Sequence, residues 1–154
     1  MKFTALILIV FSLACSSLLA QESIALVDGR YYDKEENLYS GQHTTYDDND
    51  NKKSIFHLEN GALHGEALFF YTKGTKQEIG NYKDGEKHGK WTKWNEAGKK
   101  VGEAHYYEGE KDGKWLIWDD SAIKRYELTY DKGEKVGSWK MWDESGSLVS
   151  EKNY

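Results

Sequence analysis

The feature that most constrains this chain is a glycine that returns every 24 residues. Five glycines keep this spacing without an insertion or a deletion: Gly41, Gly65, Gly89, Gly113 and Gly137. A strict period in this range is typical of a repeat protein, in which each unit contacts mainly its neighbours. The sequence therefore predicts a repeat array over residues 41–154, with units that start at residues 41, 65, 89, 113 and 137.

Each unit before the last carries a second glycine, 20 residues after the first and preceded by a polar residue. These turn glycines are Gly61, Gly85, Gly109 and Gly133. A polar residue followed by glycine favours a tight turn, because glycine adopts positive φ without a steric cost. A further turn signal lies seven to nine residues into the unit, as in residues 95–98 and 143–146. Each unit is therefore predicted to fold as strand, turn, strand, turn.

Strands are favoured over helices throughout the array. No segment between turn signals exceeds about ten residues, which is short for a helix. The chain contains 15 glycines, 6 tryptophans and 11 tyrosines but no proline, which would interrupt the hydrogen-bonded ladder of a sheet. We expect an all-β fold, an elongated antiparallel β-meander of repeated hairpins, in which neighbouring units stabilise one another.

Two aromatic columns follow the same period. The column two residues after the first glycine contains Trp91, Trp115 and Trp139, and the column five residues after it contains Trp94, Trp118 and Trp142. Because side chains alternate along a strand, the two columns point to opposite faces unless a bulge brings them together. The face that carries a tyrosine column, 17 residues after the glycine and beside small residues, is predicted to be buried.

These six tryptophans are the candidate partner-binding residues. If the columns lie on opposite faces, the second forms a solvent-facing aromatic stripe, and such stripes mark interaction surfaces. Rings two strands apart are separated by about 10 Å, so they could contact apolar side chains of a protein or successive sugar rings of a glycan. The alternative is that the rings only pack the sheet.

No group of residues indicates catalysis, a metal site or a cofactor. His64 and His88 occupy the same position in successive units, but two strands separate them by about 9.5 Å, too far for one zinc ion. The acidic segment 46–51 lacks the ligand spacing of a calcium loop, and residues 109–114 lack the serine or threonine and the helix of a phosphate loop. We therefore expect no catalytic residue, no metal ligand and no cofactor, and predict that the protein is not an enzyme.

The pattern Gly-x-Trp-x-x-Trp, a turn, and then Tyr-x-x-Gly-x-x-x-Gly resembles MORN repeats, in particular the bacterial variant whose members are often labelled antitoxins of the YwqK type. The resemblance covers residues 38–154. It implies a hairpin array that acts as a scaffold or binding surface, since the matched residues are structural. Asp50 departs from the pattern, because it stands where three other units have glycine. We expect a looser turn there.

Residues 1–20 are predicted to be a secretory signal peptide. Lys2 precedes an apolar run that extends to Leu13, and Ala20 offers a cleavage site before a polar residue. The run is shorter than the roughly 20 residues that span a bilayer. A lipoprotein attached through Cys15 is the less favoured alternative, because Ser12 stands where the lipoprotein signal has leucine. We expect an exported protein, whether periplasmic, cell-surface or secreted.

Residues 21–40 do not follow the 24-residue register. Segments 24–27 and 30–33 flank a turn at Asp28 and Gly29. Terminal repeats are often atypical because they cover an exposed end of the array. The sequence therefore predicts N-terminal capping strands within residues 21–40, between the signal peptide and the repeat array.

Charge restricts the range of partners. The net charge is −5, and the lysines of segments 83–87 and 131–135 are interpreted as solvated residues of turns with mixed sign. Nucleic acids and anionic membranes attract basic stripes, so we expect neither as a partner. The predicted function is an exported, non-enzymatic repeat protein that presents an extended sheet for protein–protein interaction or scaffolding. Two alternatives stay open: a cell-wall or glycan-binding module, and a toxin-neutralising protein, which only the resemblance implies.

Overall fold

A computed structural model describes residues 24–154, and both the predicted signal peptide and Cys15 lie outside these residues. The described chain is all-β and forms a two-stranded sheet and a twelve-stranded sheet. Its strands are β1 (Ala25–Val27), β2 (Arg30–Tyr32), β3 (Gly41–Tyr46), β4 (Lys52–Glu59), β5 (Ala62–Phe70), β6 (Lys76–Lys83), β7 (Glu86–Trp94), β8 (Lys100–Tyr107), β9 (Glu110–Lys111), β10 (Gly113–Trp118), β11 (Lys124–Asp131), β12 (Glu134–Lys135), β13 (Ser138–Trp142) and β14 (Leu148–Asn153).

The large sheet is an antiparallel meander that follows the order of the chain, which confirms the predicted fold. From one edge to the other the strands are β14, β13, β11, β10, β8, β7, β6, β5, β4 and β3. The short strands β9 and β12 pair with β8 and β11 and precede β10 and β13 along the chain. Each unit thus contributes an outgoing strand, which contains its first glycine or, in the fifth unit, begins just after it, and a returning strand.

The tight turns adopt the conformation that a polar residue followed by glycine predicts. Asp84 and Gly85 have φ values of 52° and 91°, and the corresponding pairs of the other units also have two positive φ angles. Two positive values are typical of a type I′ turn, whose twist matches that of the flanking strands. Gly85 donates its N–H to Leu63 O at 2.8 Å. Each tight turn is thus hydrogen-bonded to the strand that begins just after the preceding tight turn, which in this case is β5.

The first glycine of a unit marks a break in strand pairing at each unit boundary. Between β6 and β7 the pairing passes from Ile79 with Thr92 to Asn81 with His88, so three residues of β7 face one residue of β6. Gly89 lies in this break with a φ of 70°. Only glycine adopts such an angle freely, which explains why the 24-residue period is a glycine period.

The wider turn keeps one geometry in all five units, including the first. Asp50 has a φ of 60°, close to the 76° of Gly98. Asp50 donates its N–H to Asp47 O at 3.0 Å, as Gly98 does to Asn95 O at 2.9 Å. The prediction of a looser first turn is therefore wrong. Aspartate tolerates the left-handed conformation better than most residues, so the turn closes without glycine.

A bulge inside each unit determines where the second aromatic column points. Lys93 of β7 pairs with Gly102 of β8. The next pair, Trp94 with Lys100, skips one residue of β8, and the other four units show the same shift. Because the extra residue lies in the returning strand, alternation along the outgoing strand is preserved. Trp91 and Trp94 therefore point to opposite faces.

We call the side of the sheet that carries Trp91, Trp115 and Trp139 the ladder face, and the opposite side, which carries Trp94, Trp118 and Trp142, the ion-pair face. The buried core lies on the ladder face and contains Phe56, Leu58, Ala67 and Trp91. Partly buried tyrosines of the column 17 residues after the first glycine pack against it. This is the face that the sequence predicted to be buried.

The hairpin formed by β1 and β2 covers the ladder face over the first units only. Its Tyr31 ring lies 5.8 Å from the Phe56 ring, and its Tyr31 N–H donates to Gly61 O at 2.9 Å. Burial then declines along the array, from Trp91, which is 1% exposed, to Tyr154, which is 47% exposed. The ladder face is closed at its N-terminal end and open at its C-terminal end.

Substitution of Gly80 tests the packing of the core. A Cβ at this position would lie 2.1 Å from the Trp91 ring. Gly80→Ala should therefore lower the free energy of unfolding by about 1–3 kcal/mol, the usual cost of overpacking. Gly102→Ala is the matched control on the next returning strand, because its Cβ would lie 3.5 Å from Lys93 Cβ. Equal losses for the two variants in urea unfolding would contradict the assigned stacking.

Amide hydrogen exchange should follow the gradient of burial. Because the β1–β2 hairpin covers only the first units, amides of β6 and β7 are expected to exchange more slowly than those of β13 and β14. Exchange measured by NMR for individual amides checks this order. Protection in β14 as strong as in β7 would be inconsistent with an open C-terminal end.

Candidate interaction surface

A continuous stack of alternating tyrosine and tryptophan rings crosses the ladder face. Neighbouring ring centroids lie 4.9–6.4 Å apart, and most contacts are edge to face. The rings in order are Tyr82, Trp91, Tyr106, Trp115, Tyr130, Trp139 and Tyr154. Each such pair contributes about 0.5–1.5 kcal/mol beyond the burial of its area. Burial also raises the pKa of the Tyr82 and Tyr106 hydroxyls, so both stay neutral.

The indole N–H of each ladder tryptophan adds a hydrogen bond across a break at a unit boundary. The donor and acceptor pairs are Trp91 with Asn81 O at 3.1 Å, Trp115 with His105 O at 3.0 Å, and Trp139 with Thr129 O at 2.9 Å. A largely buried indole N–H needs a partner, and here the partner is always the preceding returning strand. The tryptophans therefore fasten successive units together.

A lysine covers one ring face of each ladder tryptophan. The Nζ atoms of Lys87, Lys111 and Lys135 lie 3.6, 4.7 and 4.5 Å from the ring centroids of Trp91, Trp115 and Trp139. An ammonium group above a ring is attracted by the ring quadrupole, by about 0.5–1 kcal/mol at an exposed site. Lys87 is partly buried, so the interpretation of it as a solvated turn residue is wrong, whereas Lys135 stays exposed although it lies over a ring.

Four lysines of the ladder face have no carboxylate partner. Lys87 forms an ion pair with Glu78 at 3.4 Å. Within residues 24–154 no carboxylate pairs with the other four, which are Lys93, Lys111, Lys135 and Lys152. The ladder face is locally cationic, although the whole chain carries a net charge of −5. Net charge alone did not reveal this local excess.

On the ion-pair face, by contrast, lysines lie within ion-pair distance of glutamates, with two lysines to each of Glu103 and Glu127. Glu103 lies 3.0 Å from Lys90 Nζ and 3.3 Å from Lys100 Nζ. Glu127 repeats the arrangement in the next unit, 3.7 Å from Lys114 and 2.8 Å from Lys124. Hydrogen bonds from Lys90 and Lys124, respectively, hold the pKa of Glu103 and Glu127 below the ordinary value. Each of these four lysines therefore has a carboxylate partner within the sheet.

The second tryptophan column is half-buried and does not form an open stripe. Lys76, Lys100 and Lys124 of the preceding units lie 5.3, 4.3 and 4.1 Å from the ring centroids of Trp94, Trp118 and Trp142. A sugar ring that stacked on Trp118 would have to displace Lys100, which also binds Glu103. The expected solvent-facing stripe of the second column is therefore covered by lysine.

Three exposed apolar side chains lie on the ladder face beside the ring stack. Ile117, Tyr126 and Met141 are 38%, 38% and 37% exposed. Ile117 pairs with Tyr126, and Tyr126 pairs with Met141, so the three form a contiguous row across β10, β11 and β13. The sequence analysis missed this row because its members lie outside the aromatic columns. The available signal was an apolar residue four places after the glycine in the last two units.

A cavity of about 420 Å³ adjoins this row, between Trp91 and Trp115. Gly102 and Ala104 of β8 line it, together with Ile117 of β10. The next returning strand, β11, carries larger side chains at the two corresponding positions. The cavity is therefore a property of this unit, created where two neighbouring side chains are small.

The histidines occupy separate surroundings. His64 lies between Glu59 and Asp84, with N–O distances of 3.5 and 3.6 Å, and the His88 ring packs 5.3 Å from the Tyr107 ring. In the part of the chain that the structure describes, no three histidine, cysteine or acidic residues are grouped as a metal site. The same part contains no helix long and apolar enough to cross a membrane.

Comparison with known protein families agrees with this geometry. Three segments match the MORN repeat variant. They are residues 63–84, 87–106 and 135–154, which contain most of the hairpins β5–β6, β7–β8 and β13–β14. The hairpin β10–β11 lies outside the matched segments but has the same bulge and ring stack as these MORN-type units. No curated protein matches the chain. The match concerns the repeat itself and gives no support to the antitoxin label.

Acid should weaken the ion-pair face. A carboxyl group with a lowered pKa in the folded state contributes stability above its unfolded pKa, and this is lost as pH falls through the folded pKa. For Glu103 and Glu127, whose ordinary value is 4.5, the melting temperature should fall more steeply below about pH 5 in the wild type than in Glu103→Gln/Glu127→Gln. Glu144→Gln, in an exposed turn, is the control. Parallel pH profiles for wild type and double variant would exclude this role.

Proposed function

We propose that this protein is an exported, non-enzymatic scaffold that binds another protein through the open C-terminal half of the ladder face. The row of Ile117, Tyr126 and Met141 carries the proposal. It is exposed on the same face that the β1–β2 hairpin covers in the first units. Export rests on the signal-peptide pattern of residues 1–20.

The composition of this half of the face suits a protein interface. Aromatic residues and methionine are enriched in interfaces, and large rings in well-packed surroundings supply most of the binding energy. Here the rings are fixed by edge-to-face contacts and by indole hydrogen bonds. A surface fixed in this way loses little side-chain freedom when a partner binds, which favours affinity.

Contacts on the ladder face favour a protein over a glycan. Stacking of a sugar needs an open ring face, but one face of Trp115 is covered by Lys111, and tyrosine edges flank the ring. Two of the three exposed side chains, Ile117 and Met141, are aliphatic and offer no ring. Apolar side chains of a partner protein can contact them without displacing any residue of the sheet.

Site-specific photo-cross-linking tests the surface. The full-length chain with p-benzoylphenylalanine at Tyr126 should give a discrete protein adduct in the cell envelope after irradiation. The matched control is the same probe at Lys114, an exposed position of β10 on the ion-pair face. An adduct of equal yield at both positions, or none at Tyr126, would overturn the assignment of the ladder face as the binding surface.

A further inference from the structure

We infer that the ladder face binds an acidic segment in the polyproline II conformation, with a carboxylate at every third residue. This inference rests on the proposed function and names the chemistry of the partner. Three independent features of the ladder face carry it: unpaired lysines, the spacing of those lysines, and a cavity between two tryptophans.

The unpaired lysines call for an acidic partner. Lys111 and Lys135 lie over tryptophan rings, and within the described residues neither is matched by a carboxylate. A carboxylate from outside can approach each ammonium group while the lysine stem stays on its ring. Such a charge-assisted contact is stronger than a neutral hydrogen bond and selects acidic over basic partners.

The spacing of the lysines selects the backbone of the partner. Lys111 and Lys135 hold the same position in successive units, two strands apart, which is about 9.5 Å. A polyproline II helix repeats after three residues and rises about 9.3 Å in that distance, so every third side chain points the same way. In a β-strand the third side chain points to the opposite side. In an α-helix the residues that share a face lie about 6 Å apart (i and i+4) or about 10.5 Å apart (i and i+7), which matches this spacing less closely.

The cavity offers room for the residues between the carboxylates. Polyproline II segments usually bind in grooves lined by aromatic rings, where proline rings fit between them. The space of about 420 Å³ between Trp91 and Trp115 has small residues on its floor and is large enough for a proline ring or a small apolar side chain. Lys93, which has no carboxylate partner within the described residues, also lines this space, and the one ladder-face carboxylate that lines it, Glu78, is paired with Lys87.

A basic and aromatic face could also attract an anionic membrane. The observations favour a peptide, because the lysines over the tryptophan rings, Lys87, Lys111 and Lys135, form one line at a constant spacing, and the cavity is recessed between rings. A flat lipid surface would instead be met by a broad basic patch. The test must therefore distinguish binding to a peptide from binding to a membrane.

Fluorescence anisotropy with labelled peptides and the purified chain tests the inference. A peptide of repeated Pro-Pro-Glu should bind at least about tenfold more tightly than a peptide of repeated Pro-Pro-Pro-Glu with the same number of glutamates, and repeated Pro-Pro-Lys should not bind. Lys111→Gln/Lys135→Gln removes both charges, keeps only part of each aliphatic stem, and should lose about tenfold in affinity. Lys90→Gln/Lys114→Gln, on the ion-pair face, is the matched control and should bind as the wild type does.

Equal affinity for the two glutamate peptides, or equal losses in the two double variants, would overturn the inference. Binding to phosphatidylserine vesicles in the absence of peptide binding would overturn it in favour of a membrane surface. If a probe at Tyr126 cross-links a protein but the Pro-Pro-Glu peptide does not bind, the proposed function stands and this inference fails. If neither occurs, both fail.

Discussion

The tryptophan that follows the first glycine holds neighbouring units together in two ways at once. Its ring packs between tyrosines of two returning strands, and its indole N–H bridges the break in strand pairing. Phenylalanine could supply the packing but has no donor for the break. The glycine creates the break, and the tryptophan spans it. In the second unit Ala67 stands at this position, and there the core cluster and the β1–β2 hairpin supply the burial instead.

The lysines on the two faces of the sheet contact different groups. On the ion-pair face each of Glu103 and Glu127 pairs with two lysines, so each of these lysines has a carboxylate partner within the protein. On the ladder face the lysines lie over rings, which attract a cation but carry no net charge. Because side chains alternate along each strand, both arrangements come from the same stretches of sequence. On one face the lysines have carboxylate partners, and on the other most of them have none within the described residues.

The fold was predictable because its signals are local. A type I′ turn at Asp84 and Gly85 depends on two adjacent residues, and the 24-residue period then repeats it. The sequence left the faces of Trp91 and Trp94 open, because a bulge between them in the outgoing strand would have put both rings on one face, and no residue type marks that the extra residue lies in the returning strand instead. The surroundings of Lys87 were not predictable either. Its neighbours in the sequence are those of a polar turn, but its side chain lies over the ring of Trp91, four residues further along the strand.

Two positions of the ladder face are not apolar in the third unit, and the last two units differ from it there. At the positions that hold Ile117 and Tyr126 in the fourth unit, the third unit has Lys93 and Gly102. The same hairpin therefore folds with a lysine and a glycine there, and the sheet itself does not require apolar residues. Isoleucine, tyrosine and methionine exposed in a contiguous row are costly in water unless something covers them. Because the fold accepts lysine at such a position, these apolar residues are not needed for folding. For this reason we propose that a partner covers this half of the face.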